Sequence, residues 1–160
     1  MSLRVGLGYD VHAFQDNREL FLGGIKVPHS RGLAGHSDAD VLLHAICDAL
    51  LGSAALGDIG VHFPDTSESF KNIDSKILLK ESYRLVKAEG FQLVNLDSVV
   101  ILEKPKLKNY IFKMRELIAE ILDVQVQNIS IKATTTEKLG FTGREEGIAA
   151  EAVVLMEKIP

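Results

Sequence analysis

The amino-acid sequence predicts an α+β fold in which a mixed β-sheet carries helices packed on one face. Three observations support this prediction. Several short segments alternate apolar and polar residues or are rich in β-branched ones, other segments repeat apolar residues at helical spacing, and the order β-β-β-α-α-β-α-β-β has no strict βαβ alternation. With 160 residues, the chain suits a single domain over 1–160 with a sizeable core.

The strands are predicted from alternation, β-branched residues and turn signals. Residues 3–11 form the first strand, and residues 19–28 form two short strands that meet at Gly23–Gly24. The remaining strands are residues 91–102, 129–134 and 148–156. The glycine-rich stretch 31–35 and the long polar stretch 57–73 are predicted to be loops, and loops as long as the second are often functional.

The helices are predicted from apolar periodicity and from capping residues. The first begins at Ser37, a good N-cap, with Asp40 in the place of the usual Glu of a capping box. The second starts at residues 74–75 and stops before Gly90, and the third begins after Pro105. The apolar stripes of these helices supply the layer that covers the sheet.

Composition excludes several classes of partner and location. A net charge of −4 provides no general basic surface for nucleic acid or membranes. The sequence has no apolar run long enough to span a bilayer and no signal-peptide pattern. The single cysteine, Cys47, excludes a disulfide framework and is predicted to be a core thiol. We expect a cytoplasmic protein, or an organellar one if a transit peptide has been removed.

Two segments together predict a metal site. Asp10 and His12 share one face at the end of the first strand, an arrangement that a solvated strand end also explains. In the following helix Asp40, His44 and Asp48 share a face without any lysine or arginine, and their charge favours a nearby cation. The spacing therefore predicts a three-ligand site with one open position, suited to zinc or another transition divalent cation. The ligands would be Asp10, His12 and His44, with Asp40 or Asp48 orienting an imidazole.

Two further patterns are suited to phosphate. His36 lies just before the predicted N-terminus of the first helix, where phosphate can bind, although it can equally be an ordinary residue before a cap. Residues 132–144, KATTTEKLGFTGR, combine hydroxyls, glycines and cations, and Glu137 suits a magnesium ion shared with phosphates. A Thr-rich edge strand followed by a turn is the alternative explanation.

Two more segments have weaker signals. Residues 58–65 could wrap a polar small molecule, or be a plain surface loop. Residues 103–108 carry three lysines that could contact a nucleotide, or be a solvated charge cluster. Together, the patterns predict metal-assisted phosphoryl chemistry and leave the substrate open.

Several of these motifs resemble those of the 2-C-methyl-D-erythritol 2,4-cyclodiphosphate synthases. The matching segments run in order over nearly the whole chain: GYDVHAF at 8–14, GHSDADVLLHA at 35–45, DALLGSAALGDIG at 48–60, FPDT at 63–66 and KATTTEKLGFTGREEG at 132–147. The resemblance implies a lyase that converts 4-diphosphocytidyl-2-C-methyl-D-erythritol 2-phosphate to the cyclic diphosphate and CMP in non-mevalonate isoprenoid biosynthesis. It also implies a homotrimer with active sites between subunits and a central channel that can hold an isoprenoid diphosphate.

The resemblance also implies roles for individual residues. Asp10, His12 and His44 match zinc ligands, Glu137 matches a magnesium or manganese ligand, and His36 and Thr135 match positions that stabilise the transition state. Substrate contacts match Ser37, Asp58, Ile59, Gly60, Phe63, Pro64, Asp65, Thr134, Thr136, Phe141 and Arg144. A cytidine-binding segment donated by the neighbouring subunit matches Leu102, Glu103, Lys104, Pro105, Lys106, Leu107 and Lys108.

Some residues depart from the family pattern. Tyr9 stands where the family often has Phe, near the trimer axis, and Glu145 and Glu146 add negative charge beside Arg144. His29 and His62 receive no role. Two alternative functions remain open: a metal-dependent phosphohydrolase that uses the same ligands to activate water, and a non-catalytic trimer that binds metal or isoprenoid diphosphate.

Overall fold

A five-stranded mixed sheet forms the centre of the protein. The computed structural model describes residues 2–66, 68 and 71–159. The strands are β1 (Leu3–Asp16), β2 (Leu20–Leu22), β3 (Ile25–Val27), β4 (Arg31–Leu33), β5 (Phe91–Ile101), β6 (Ile129–Thr134) and β7 (Gly147–Lys158). The main sheet has the order β4-β1-β7-β5-β6, with β5 and β6 parallel and the other pairs antiparallel, while β2 and β3 form a separate hairpin.

The helices cover one face of this sheet, which confirms the predicted fold class. They are α1 (Val41–Ser53), α2 (Ile59–His62), α3 (Ser75–Ala88), α4 (Ile111–Leu122) and α5 (Gly140–Gly143), and a 3-10 helix covers Val126–Asn128. Helix α1 packs on β1 and β7, α3 packs beside α1, and α4 lies against β6. Along β7 the side chain of Val154 is fully buried, whereas that of its neighbour Val153 is 42% exposed. This alternation separates a helix-covered face from an outer face.

The outer face of β1 is apolar and exposed. Val5 and Leu7 are 67% and 61% exposed, and Tyr9 and Val11 continue the same row at 55% and 38%. Side chains two apart in a strand lie on one face, so these four form a continuous strip. An exposed apolar strip of this kind is typical of a surface that another protein covers.

The first helix begins three residues later than predicted. Asp40, and not Ser37, is the N-cap of α1, and its Oδ1 accepts from Leu43 N at 3.1 Å. Ala39 has a positive φ of 57°, so the chain turns sharply just before the helix. Ser37 Oγ instead accepts a hydrogen bond from Ala39 N at 3.1 Å within that turn. The prediction was wrong because two capping residues lie three apart and only the backbone geometry distinguishes them.

Two predicted loops contain regular structure. Residues 31–33 form β4, which pairs with the end of β1, so β1 extends to Asp16 rather than ending at residue 11. The stretch 57–73 contains α2, and its residues 67, 69 and 70 lie outside the described part of the chain. Elements of three or four residues are too short to show a hydrophobic period.

Several local signals are confirmed. Gly23 and Gly24 have positive φ values of 60° and 80° in the β2–β3 turn, as expected for a two-residue hairpin loop. Asp74 caps α3 by accepting from Lys76 N at 2.9 Å. Cys47 lies in the core, and burial raises the pKa of its thiol to about 12. Within residues 2–66, 68 and 71–159, no helix has the length and apolar character needed to cross a bilayer.

Candidate active site and metal centre

Asp10, His12 and His44 converge as predicted. The first two lie on the helix-facing side of β1 and the third on α1, and their ligand atoms lie within 4.8 Å of one another. Asp10 Oδ2 is 3.0 Å from His12 Nε2 and 3.2 Å from His44 Nδ1, and the two nitrogens are 3.1 Å apart. In a tetrahedral zinc site with bonds of about 2.0 Å, ligand atoms are about 3.3 Å apart. The donor set and its spacing therefore fit a divalent transition metal with an open position.

The electrostatics of the triad favour binding of a cation. Burial would raise the pKa of Asp10, but hydrogen bonds and charge attraction from His12 and His44 hold this pKa well below its usual range. Burial would lower the pKa of His12, but the hydrogen bond and charge of Asp10, together with the Ala34 carbonyl, raise it. The side chains of Asp10, His12 and His44 are only 27%, 18% and 12% exposed. An ionised carboxylate and two imidazoles are thus held together in a partly buried site.

The imidazoles are oriented by residues to which the sequence analysis gave no such role. His12 Nδ1 lies 2.6 Å from the Ala34 carbonyl oxygen, which can only accept, so this nitrogen carries the proton and Nε2 faces the triad as a lone pair. His44 Nε2 lies 2.9 Å from Ser75 Oγ and 3.2 Å from Ser37 Oγ. Each imidazole therefore has an outer hydrogen bond of the kind that metal-ligating histidines usually make.

Asp40 and Asp48 have other hydrogen-bond partners, and their predicted role in orienting an imidazole is wrong. The buried Asp40 carboxylate accepts three backbone N–H groups, from Gly23 at 3.0 Å, Gly24 at 2.7 Å and Leu43 at 3.1 Å. Asp48 Oδ1 accepts from Ile59 N at 2.8 Å. Both carboxylates share a helical face with His44, but each hydrogen-bonds to the backbone.

A cavity of about 470 Å³ adjoins the triad. His12 and His44 contribute to its wall, and the other lining residues are Gly35, His36, Ser37, Ile59, Gly60, Phe63, Pro64, Asp65, Thr66, Ile73 and Leu78. This group contains His36 and every substrate-contact residue predicted between Ser37 and Asp65 except Asp58, which caps α2 by accepting from Val61 N at 3.1 Å. His36 Nε2 is buried without a hydrogen-bond partner among the described residues, so it remains available to a ligand. The volume is in the usual range for a small-molecule site.

The predicted cytidine segment lies at a second, smaller cavity of about 70 Å³. Its lining residues are Leu102, Pro105, Lys106, Leu107, Ala133, Thr134 and Thr135. Glu103, Lys104 and Lys108 do not line it. Glu103 Oε1 instead accepts from Thr136 N at 3.2 Å and from Lys138 N at 3.1 Å, and Lys104 Nζ pairs with Glu145 Oε1 at 3.3 Å. The cytidine segment and the threonine loop thus form one structural unit.

The two cavities lie at one end of the sheet but on different strands. Strand pairing aligns Val11 with Ala149, Ala149 with Ile101, and Ile101 with Thr134, so β1 and β6 lie three strand positions apart. At about 4.8 Å per strand this places Thr134 roughly 14 Å from the strand that carries His12. Within one chain, the structure does not bring the metal triad and the threonine loop together.

The rest of the predicted site lies in the loop after β6. Glu137 is exposed with a φ of 53°, and Phe141 is half-buried in α5. The Thr136 hydroxyl donates to the Leu139 carbonyl at 2.6 Å, inside the loop. Arg144 is exposed and forms a two-pronged ion pair with Glu146, Nε to Oε1 at 2.9 Å and Nη2 to Oε2 at 3.3 Å. Glu146 thus already neutralises the charge of Arg144.

The two histidines without a predicted role lie outside the triad. His62 is the last residue of α2, and its Nε2 lies 2.8 Å from the Leu56 carbonyl oxygen. The His29 ring contacts Phe14, with ring centroids 5.4 Å apart. Neither residue lines the cavity beside the triad.

Comparisons with known proteins agree with the geometry. A sequence model of the YgbB family matches residues 3–157. The 2-C-methyl-D-erythritol 2,4-cyclodiphosphate synthase of Prosthecochloris aestuarii is 61% identical over 156 residues, which cover 98% of this chain and 99% of the relative. The bifunctional IspDF of Campylobacter jejuni matches with a TM-score of 0.95 and 47% identity, over 99% of this chain and 43% of that longer chain. A 2C-methyl-D-erythritol-2,4-cyclodiphosphate synthase in its CDP-bound form matches with a TM-score of 0.89 and 34% identity, over 96% of this chain and 100% of the other.

Proposed function

Because the chain belongs to the YgbB family, we propose that it catalyses the reaction for which its relatives are named. In this proposal it converts 4-diphosphocytidyl-2-C-methyl-D-erythritol 2-phosphate to 2-C-methyl-D-erythritol 2,4-cyclodiphosphate and CMP, a lyase reaction of non-mevalonate isoprenoid biosynthesis. The observation that carries the proposal is the convergence of Asp10, His12 and His44 beside a cavity of about 470 Å³. The CDP-bound form of a relative supports a cytidine diphosphate substrate.

The reaction moves one phosphoryl group within one molecule. An oxygen of the 2-phosphate forms a bond to the β-phosphorus, the bond from that phosphorus to the oxygen bridging to the α-phosphorus breaks, and CMP leaves with that oxygen. A phosphate monoester is already anionic, so the attacking group needs orientation more than a strong base. Holding two groups of one substrate in line can supply a large part of the rate.

The residues of the site have separate tasks in this mechanism. Asp10, His12 and His44 would hold a zinc or similar divalent ion, and Glu137 a magnesium or manganese ion. These ions, when bound, polarise the diphosphate and relieve the negative charge that accumulates on phosphorus. His36, whose Nε2 has no partner among the described residues, donates a hydrogen bond to a phosphate oxygen. Thr135 donates from the threonine loop.

The remaining cavity residues hold the substrate and exclude water. Ile59, Gly60 and Phe63 line the cavity beside the erythritol part, and the segment 102–108 binds the cytidine through Leu102, Pro105, Lys106 and Leu107, which line the second cavity. The apolar side chains of Ile59 and Phe63 limit the access of water, which would otherwise compete with the 2-phosphate for the β-phosphorus. This exclusion separates a cyclising enzyme from a phosphohydrolase with the same ligands.

A complete site requires two chains in this proposal. His36 and Thr135 must contact the same diphosphate, but Thr134, at the start of the threonine loop, lies roughly 14 Å from the strand that carries His12 in the same chain. We therefore propose a homotrimer in which each site combines the triad of one subunit with the threonine loop and cytidine segment of its neighbour. The exposed apolar strip from Val5 to Val11 supports burial of this face between subunits. Tyr9 belongs to the strip and would face the central channel, where an isoprenoid diphosphate could bind.

Analysis of the product tests the proposed function. The metal-loaded protein is incubated with 4-diphosphocytidyl-2-C-methyl-D-erythritol 2-phosphate. The products are followed by phosphorus NMR and by chromatography of the released nucleotide. We expect equal amounts of cyclic diphosphate and CMP, and no turnover after chelation until metal is restored. Inorganic phosphate or a linear product would indicate a phosphohydrolase, and tight binding without turnover would indicate a non-catalytic protein.

A further inference from the structure

His44 differs from His12 in what holds its outer nitrogen. The outer nitrogen of His12 meets a backbone carbonyl, whereas that of His44 meets the side chain of Ser75 at 2.9 Å. Ser75 is the first residue of α3, is completely buried, and lies 31 positions from His44 in the sequence. The orientation of His44 therefore depends on a side chain from another element.

The serine is itself held by Asp38. Ser75 Oγ forms a short hydrogen bond with Asp38 Oδ1, and Ser75 N donates to Asp38 Oδ2 at 3.0 Å. Asp38 Oδ1 also accepts from Asp40 N at 3.1 Å, and the backbone N of Asp38 donates to the Ile73 carbonyl at 3.2 Å. The carboxylate is thus fixed by three donors and by its own backbone. It has no freedom to release the serine hydroxyl.

The proton positions follow from which groups can donate. A carboxylate oxygen only accepts, so the single proton of the Ser75 hydroxyl points to Asp38. The serine oxygen then presents a lone pair to His44 Nε2 at 2.9 Å, closer than the second contact of this nitrogen, Ser37 Oγ at 3.2 Å, so the Ser75 contact favours the imidazole proton on Nε2. The other nitrogen, Nδ1, is left with its lone pair directed at Asp10 Oδ2 and His12 Nε2, at 3.2 and 3.1 Å. A metal needs that lone pair.

We propose that Ser75 and Asp38 are positioning residues that hold His44 in the tautomer and orientation required for metal binding. The hydrogen-bond chain runs from Asp38 through Ser75 to His44 and ends at the triad. Neither Ser75 nor Asp38 lines the cavity, so neither contacts the substrate in this proposal. The inference rests on the proposed function only in taking the triad as the metal site.

The chain also ties the metal site to the cavity wall. Asn72 N donates to the His36 carbonyl at 2.8 Å, and Asp38 N donates to the Ile73 carbonyl, so residues 36–38 and 72–75 run side by side. The two segments that carry Asp38 and Ser75 therefore also hold the backbone of His36, which lines the cavity. Loss of this hydrogen-bond chain should affect metal binding first, because the ring of His44 is part of it and the ring of His36 is not.

The test uses Ser75→Ala, with Ser82→Ala as the matched control. Ser82 is buried in the same helix, so its replacement also removes a buried hydroxyl from α3 but breaks no contact with His44 or Asp38. Zinc and cobalt affinities of the full-length protein are measured by competition with a coloured chelator, and the tautomer of His44 by nitrogen NMR of the metal-free protein. We expect Ser75→Ala to weaken metal binding about 10- to 100-fold, to shift the absorption bands of bound cobalt and to mix the His44 tautomers. Ser82→Ala should leave all three unchanged.

A double substitution separates positioning from mere structural support. Asp38→Asn can donate from its amide to Ser75 Oγ, which turns the serine proton toward His44 Nε2 and favours the wrong tautomer. Because Asp38 acts through Ser75, the double variant should bind metal no more weakly than Ser75→Ala alone, whereas independent structural effects would add. Unchanged His44 nitrogen signals in Ser75→Ala, or metal affinity within about twofold of Ser82→Ala, would overturn the inference. If Ser75→Ala weakens metal binding while the metal-loaded wild-type protein forms no CMP, the inference stands and the proposed function is rejected.

Discussion

Gly8 of β1 lies so close to Ala45 of α1 that a Cβ atom at residue 8 would be 1.8 Å from the Ala45 carbonyl oxygen. Gly6 makes the same approach to the Ala49 carbonyl, also at 1.8 Å. Ala45 follows His44, so the depth of α1 on the strand also sets the distance from His44 to Asp10. Two glycines that contact no ligand atom therefore determine whether the triad closes.

Replacement of Gly8 by Ala should damage both the fold and the triad. The added methyl group meets rigid backbone, so α1 must move away from β1, at a cost of about 1–3 kcal/mol or more. We expect a lower free energy of urea unfolding and weaker zinc binding in chelator competition. Gly52→Ala is the control, because a Cβ there lies 3.9 Å from its nearest neighbour, Leu7 O, and Ala stabilises a helix by up to about 1 kcal/mol. Wild-type stability and zinc affinity in Gly8→Ala would contradict this view.

Asp40 should matter for stability rather than for histidine orientation. Asp40→Ala leaves the N–H groups of Gly23, Gly24 and Leu43 without their acceptor in a buried position. A lost N-cap and unsatisfied buried donors together should cost about 2–4 kcal/mol, measured by urea unfolding. The nitrogen NMR signals of His44 should keep the wild-type tautomer in the fraction that remains folded. A stable variant with altered His44 signals would instead restore the role predicted from the sequence.

Local signals explain how much could be predicted from the sequence. The Gly23–Gly24 turn, a helix cap at residues 74–75 and a strand at 148–156 each depend on residues close together in the chain, and each was predicted. The triad was also predictable, because Asp10 and His12 share a strand face and an uncompensated acidic helix contains His44. These patterns reflect backbone periodicity, which the sequence displays directly.

The contacts that were missed join distant segments or choose between near-equal local options. Ser75 and Asp38 lie 37 positions apart, and Ser75 looked only like a helix cap. Ser37 and Asp40 are both good caps, and the positive φ of Ala39 decides between them. The three-residue β4 exists only because β1 continues far enough to pair with it. Tertiary packing, which no local window contains, determines each of these features.

The Asp10–His12 pair should make metal binding depend on pH. Because its pKa is lowered, Asp10 stabilises the folded protein at pH values above its usual pKa of 3.8. This stabilisation is lost only as the pH falls through the lowered pKa. Because its pKa is raised, His12 stabilises the folded protein at pH values below its usual pKa of 6.5. This stabilisation is lost as the pH rises through the raised pKa. The pair therefore stabilises the metal-free protein most at mildly acidic pH, where the proton also competes with metal for His12.

Thermal unfolding at two pH values checks this dependence. The Tm of the metal-free protein, with chelator present, should be lower at about pH 8 than at about pH 5.5. The increase in Tm on adding zinc should instead be larger at about pH 8. In Asp10→Asn, which lacks the ion pair, the decline without metal should be smaller. A zinc-induced shift that shrinks as pH rises would contradict the assignment of His12 as a ligand.

Glu103 should act through the threonine loop rather than through a direct contact with cytidine. Its Oε1 accepts from both Thr136 N and Lys138 N, which flank Glu137. Glu103→Ala should loosen this loop, raise the magnesium concentration needed for half-maximal turnover and cost about 1–2 kcal/mol of stability. Glu103→Gln keeps an acceptor oxygen and should behave nearly as wild type. If both variants raise KM for the substrate equally and leave the magnesium requirement unchanged, Glu103 contacts the cytidine instead.

A site shared between two subunits predicts that inactive variants complement each other. His44→Ala removes the metal half of the site and leaves the threonine loop intact, and Glu137→Ala does the reverse. Each variant alone should form inactive trimers, whereas random assembly of the two after co-expression gives about a quarter of the sites two intact halves. CMP formation by the mixed trimers should therefore reach about a quarter of the wild-type rate. Mixing the separately purified trimers without subunit exchange is the control, and should give none. Folded but inactive mixed trimers would mean that each site lies within one chain, and the proposed arrangement of subunits would have to be abandoned.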